Sequence, residues 1–73
     1  MFAIDYSIEI EEKLPEVLME SIKELEKLDK AEDEVNYITV MEAFEVDAKG
    51  YCNCGRITER TYRNILRKYC LEV

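Results

Sequence analysis

A chain of 73 residues with a net charge of −7 and no histidine makes one small domain. It holds no run of about 18 apolar residues, which excludes a membrane-spanning helix, and the missing histidine excludes imidazole acid/base chemistry and Cys–His nucleophilic pairs within one chain. So short a chain buries only about 60% of its unfolded surface, leaving a marginal core that a second copy, a metal or a target would stabilise.

The start, Met1-Phe2-Ala3-Ile4-Asp5, lacks the basic region and long apolar core of a signal peptide, which points to the cytosol. Residues 2–10 alternate, with Phe2, Ile4, Tyr6, Ile8 and Ile10 on one side and Ala3, Asp5, Ser7 and Glu9 on the other. Two readings fit: a half-buried strand, which needs a neighbour, or a helical turn starting near Asp5 or Ser7. Pro15 suits the first turn of a helix, where its missing N–H costs nothing. Val17, Leu18, Ile22, Leu25 and Leu28 then build one apolar stripe, and Glu20–Lys23, Glu24–Lys27 and Glu26–Lys30 pair at helical spacing. The spacing predicts a helix over 15–29.

Asp29 or Asp33 can cap the next helix, with Glu32, Asp33 and Glu34 at its positive end. Tyr37, Ile38, Met41, Phe44, Ala48 and Tyr51 share a face, which predicts a helix over 33–54. The alternative is a hairpin turning at Val46-Asp47-Ala48-Lys49-Gly50-Tyr51, supported by the β-formers Val35, Tyr37, Ile38, Thr39, Val40, Phe44 and Val46. Gly55 can close the helix in the left-handed conformation, Ile57 can fold back on its last turn, and Thr58 can cap a final helix over 58–70. Tyr62, Ile65, Leu66 and Tyr69 form the apolar face of that helix. The expected fold is mainly α, three helices with a short N-terminal strand as an option. A β-α-β-β-α order is the alternative.

Charge divides the chain. Residues 1–49 hold fifteen acids and five bases, and residues 50–73 hold two acids and five bases. Side-by-side neutralisation of the two halves explains this, as do two separate functional faces. The acidic side offers Glu16, Glu20, Glu24, Glu32, Asp33, Glu34, Glu42, Glu45 and Asp47. A solvated surface is the plain reading; the functional one is a decoy that sets carboxylates where a basic groove expects phosphates. On that reading Glu16, Glu20, Glu24, Glu42, Glu45 and Asp47 meet the partner, a host protein with a basic cleft. Arg60, Arg63 and Arg67 fall within about 60° around the last helix, flanked by Arg56 and Lys68. That second face could meet an acidic protein, a second copy in a homodimer, or phosphate, although an acidic chain is a poor ligand for nucleic acid.

Cys52, Cys54 and Cys70 are three thiols, which fits a reducing compartment better than a disulfide framework. Zinc would want a fourth ligand, Asp47 or Glu72, and an extended stretch over 51–54. If 33–54 is helical, Cys52 and Cys54 point apart and share no ion. No nucleotide loop, nucleophile–base pair or paired-carboxylate motif stands out, so no catalytic residue is named.

The stretch Gly55-Arg56-Ile57-Thr58-Glu59-Arg60-Thr61-Tyr62-Arg63-Asn64-Ile65-Leu66 resembles helix–turn–helix ends of small orphan proteins from phages and mobile elements. In size, acidity and want of catalytic residues the chain resembles the small anti-CRISPR proteins. The resemblance implies an inhibitor that binds a CRISPR effector nuclease and blocks its nucleic-acid channel or a conformational change. Those proteins share no binding motif, so it assigns no residue.

Overall fold

The computed structural model describes residues 4–70, and within them the chain is mainly α: α1 is Glu16–Lys30, α2 is Glu34–Asn53 and α3 is Glu59–Tyr69. α2 is the middle element, in contact with both α1 and α3. Its inward residues Tyr37, Met41, Phe44 and Ala48 meet Leu18, Leu25 and Leu28 of α1 and Ile65 and Tyr69 of α3 in one core. Phe44 and Tyr69 cross edge to face, with ring centres 5.6 Å apart.

Three predicted details are corrected. Pro15 flanks α1 at the N-cap rather than sitting in its first turn, and its carbonyl accepts from the Met19 N–H at 3.1 Å. Val17, in the first turn of α1, leaves the expected stripe and is exposed, although it shares a side of the helix with the buried Leu28. The hairpin over 46–51, and with it the β-α-β-β-α order, is replaced by unbroken helix. Gly50 is tolerated there because it is exposed, and a Cβ at that position would meet nothing within 4 Å.

Both joints between helices close by the same hydrogen-bond pattern. After α2, the Gly55 N–H bonds the Cys52 carbonyl and the Arg56 N–H bonds the Tyr51 carbonyl, with Gly55 at φ 81°. Ile57 folds back and is buried, and Thr58 accepts from the Thr61 N–H at the start of α3. After α1, the Glu32 N–H bonds Asp29 and the Asp33 N–H bonds Leu28. Here the left-handed position is held by Glu32, at φ 56°. A residue with a Cβ is strained there by roughly 1–2 kcal/mol. Glycine at position 32 should therefore be more stable than alanine at the same position by about 1 kcal/mol, read from paired urea denaturations of Glu32→Gly and Glu32→Ala. Equal stabilities would show that the joint carries no strain. Asp33 then caps α2, accepting from the Asn36 N–H.

The option of an N-terminal strand is also overturned for the described residues. Residues 4–14 run as an irregular arm, with a turn at Asp5–Ile8 in which the Ile8 N–H bonds the Asp5 carbonyl. Residues 2 and 3 of the predicted strand lie outside the described residues. Ile4 and Leu14 are buried and Ile8 and Ile10 half-buried, so most of the alternation is real, but Tyr6 points outward at the turn. The arm spans α3 from end to end. The Asp5 N–H donates to the Lys68 carbonyl at 2.9 Å, near the C-terminal end of α3. At the other end Glu12 Oε1 accepts from the Thr58 N–H at 3.0 Å and faces the Thr58 hydroxyl at 3.1 Å. An N–H at the negative pole and a carboxylate at the positive pole both complement the helix dipole.

The bond from the Thr58 N–H, with smaller help from the Thr61 and Thr58 hydroxyls, holds the Glu12 carboxyl below its ordinary 4.5. A depressed carboxyl stabilises the fold above its unfolded pKa, and that contribution is lost as pH falls through the folded value. Glu12→Gln should therefore lower the melting temperature at neutral pH, and the gap to wild type should narrow as pH falls below the ordinary carboxyl value of 4.5. Melting curves above and below that value check this; a gap independent of pH would assign Glu12 a purely steric role.

Candidate functional site

All six carboxylates expected to meet a partner are exposed, but they do not form one face. Glu16, Glu20 and Glu24 climb α1 one turn at a time within about 80° of its circumference, turned away from Leu18 and Leu25. Lys23 and Lys27 share that side. On α2, Glu42 and Glu45 lie about 60° apart, while Asp47 is about 140° from Glu42. Asp47 instead borders a shallow recess beside Val46, Gly50 and Cys54. The continuous helix is the reason, since a hairpin there would have turned Asp47 differently. Among the described residues none of the six is held in an ion pair.

The arginines divide in the same way. Arg63 donates to Glu59 at 2.6 Å across one exposed helical turn, an arrangement of little energetic worth. Arg60 and Arg67 make no ion pair among the described residues and, with Arg63 and Asn64, line an open groove of about 530 Å³. Arg56 is exposed in the turn before α3. Lys68 leans over the Tyr69 ring, 5.3 Å from its centre.

Because α2 is helical through Asn53, Cys52 and Cys54 point about 160° apart, and the extended stretch that a shared metal needs is not formed. Among the described residues no three acidic or thiol side chains gather as metal ligands. Cys54 is exposed, while Cys52 and Cys70 pack half-buried against the core. Burial, with a smaller push from Glu45, raises the Cys70 thiol to about 11, so it stays protonated and unreactive at neutral pH.

Sequence reasoning did not find a second groove, of about 460 Å³, where Glu9 and Glu11 of the arm face Arg60 and Asn64 of α3. Its walls are 46 or more residues apart in the chain, and no local pattern signals that they meet. No protein-family model, curated protein or solved structure matches this chain.

Proposed function

We propose that this chain is a non-catalytic binding protein that inhibits a nucleic-acid enzyme of its host, such as a CRISPR effector nuclease, by presenting carboxylates to a basic cleft. The observation that carries this reading is the rise of Glu16, Glu20 and Glu24 along the outer side of α1, exposed and outside any ion pair among the described residues. Carboxylates held in no ion pair inside the molecule are available to a cation outside it, and the net charge of −7 draws them toward basic surfaces. Glu42 and Glu45 extend the acidic surface onto α2, and Asp47 serves a separate edge. Binding of this type depends on salt: affinity for a guide-loaded effector nuclease should fall by at least about tenfold between low and high ionic strength. The triple variant Glu16→Lys, Glu20→Lys, Glu24→Lys should lose inhibition of cleavage. Affinity indifferent to salt, or full inhibition by the triple variant, would remove the acidic face from the mechanism.

A second reading draws on Arg60 and Arg67, which line one groove and make no ion pair among the described residues. A small dimeric regulator would use them on phosphate or on an acidic protein. A gel shift with duplex DNA that vanishes on Arg60→Ala with Arg67→Ala would favour it over the first.

A further inference from the structure

All four arginines of the chain fall between residues 56 and 67, while every lysine but Lys68 lies before residue 50. The fold sets Arg60, Arg63 and Arg67 on one exposed strip of α3, where with Glu59 and Asn64 they line the open groove of about 530 Å³. Three guanidinium groups against one carboxylate make a net positive patch on a chain whose charge is −7. Glu59 is paired with Arg63. Asp5 of the arm stands near Arg67, but its carboxylate accepts from the Ser7 N–H and hydroxyl. Arg60 and Arg67, in no ion pair among the described residues, keep their donors for an anion from outside.

We propose that this groove binds a compact polyphosphate, of which inorganic triphosphate is the simplest. The inference rests on the second reading above and names the anion that those arginines take. A guanidinium offers a planar fork of donors that matches two oxygens of one phosphoryl group, whereas a lysine offers a point charge. Arginine is confined to the one part of the chain where such directed bonds can converge. From Arg60 to Arg67 the strip rises about 10 Å along α3. A single phosphoryl group reaches only part of that length, and a row of three can engage all of it. A long polyanion is disfavoured, because Glu9 and Glu11 of the arm face Arg60 across the adjoining groove and would repel a strand that runs on past the strip. A compact anion stays among the arginines, and salt screens more distant carboxylates beyond about 8 Å. No aromatic or aliphatic side chain lines the groove, so nothing there stacks on a base and the phosphoryl groups alone are recognised.

Calorimetric titration of the full chain with inorganic triphosphate, without divalent cations, tests it. Binding should be saturable and should weaken by at least about tenfold in Arg60→Ala with Arg67→Ala. Arg60→Lys with Arg67→Lys keeps the charge and loses the forks, and should weaken it too. Lys23→Ala with Lys27→Ala removes as much charge from α1 and should leave it nearly unchanged. All four positions are exposed, and circular dichroism confirms that each variant is folded. Equal affinity for ATP and inorganic triphosphate supports recognition by phosphoryl groups alone. No saturable binding at millimolar triphosphate, a strong preference for ATP, equal affinity for a polyglutamate peptide, or the same loss in the lysine pair as in the arginine pair would overturn the assignment. Duplex DNA separates this inference from the regulator reading. A gel shift with duplex and no binding of triphosphate overturns the ligand named here and leaves that reading standing; triphosphate bound without a shift of duplex does the reverse.

Discussion

Phe44→Ala should leave the chain unfolded in water at room temperature. Phe44 is wholly buried at the middle of α2 and closes against Tyr69 of α3. Truncating a buried phenylalanine costs about 3–5 kcal/mol, part of it transfer and part the cavity left behind. A domain of this size commands about 3–5 kcal/mol in total. The loss thus matches the whole stability, and helical circular dichroism should largely disappear. Phe44→Leu retains most of the volume and should keep a cooperative transition at reduced temperature. A folded Phe44→Ala protein would mean that α1 and α3 close over the gap, or that the core is more stable than its size suggests.

Tyr37→Phe should cost about 1–3 kcal/mol despite preserving the ring. The Tyr37 hydroxyl donates to the Tyr69 carbonyl, one of the last carbonyls of α3 and without a partner inside the helix. Removing the hydroxyl leaves a buried acceptor unsatisfied. Urea denaturation measures the loss; a change under about 0.5 kcal/mol would show that water reaches the carbonyl. Alkali supplies an independent check. Burial foremost, then Asp29, pushes the Tyr37 phenol well above its ordinary 10, and burial with Glu26 lifts Tyr69 to about 12. A raised phenol stabilises the fold in full below its unfolded pKa, and that contribution is lost as pH rises through the folded value. Wild-type protein should lose stability steadily above about pH 10, and Tyr37→Phe less steeply because one raised phenol is gone.

The three helices could be read from the sequence because their ends carry their own chemistry. Asp33 and Thr58 supply cap oxygens to N–H groups three residues on, and Gly55 takes the left-handed position, all within a few residues of the ends they define. The left-handed Glu32 was not legible, because glutamate carries no preference for that conformation and only the closing bonds of the joint impose it. The arm misled for a different reason. Alternation is a property of extended backbone, not of a sheet, and here the neighbour that receives Ile4, Ile8 and Ile10 is helical. The candidate site was legible residue by residue but not in arrangement: exposure of the acids followed from the helical wheel, while the separation of Asp47 required knowing that the helix continues past Gly50. Glu12 at Thr58 and the pairing of Tyr37 with Tyr69 join distant parts of the chain, and spacing encodes neither.

The arm that lies along α3 also sets an order of events as the chain acquires its shape. α1 and α2 meet through a joint of three residues, so their contacts close short loops and can form early. Glu12 must find Thr58 across 46 positions, and Asp5 must find Lys68 across a greater span, after the final helix exists. Such late-formed contacts act on escape from the native state rather than on arrival at it. Stopped-flow traces of Glu12→Gln should accordingly show faster unfolding with an almost unaltered refolding rate, the signature of a clasp fastened last.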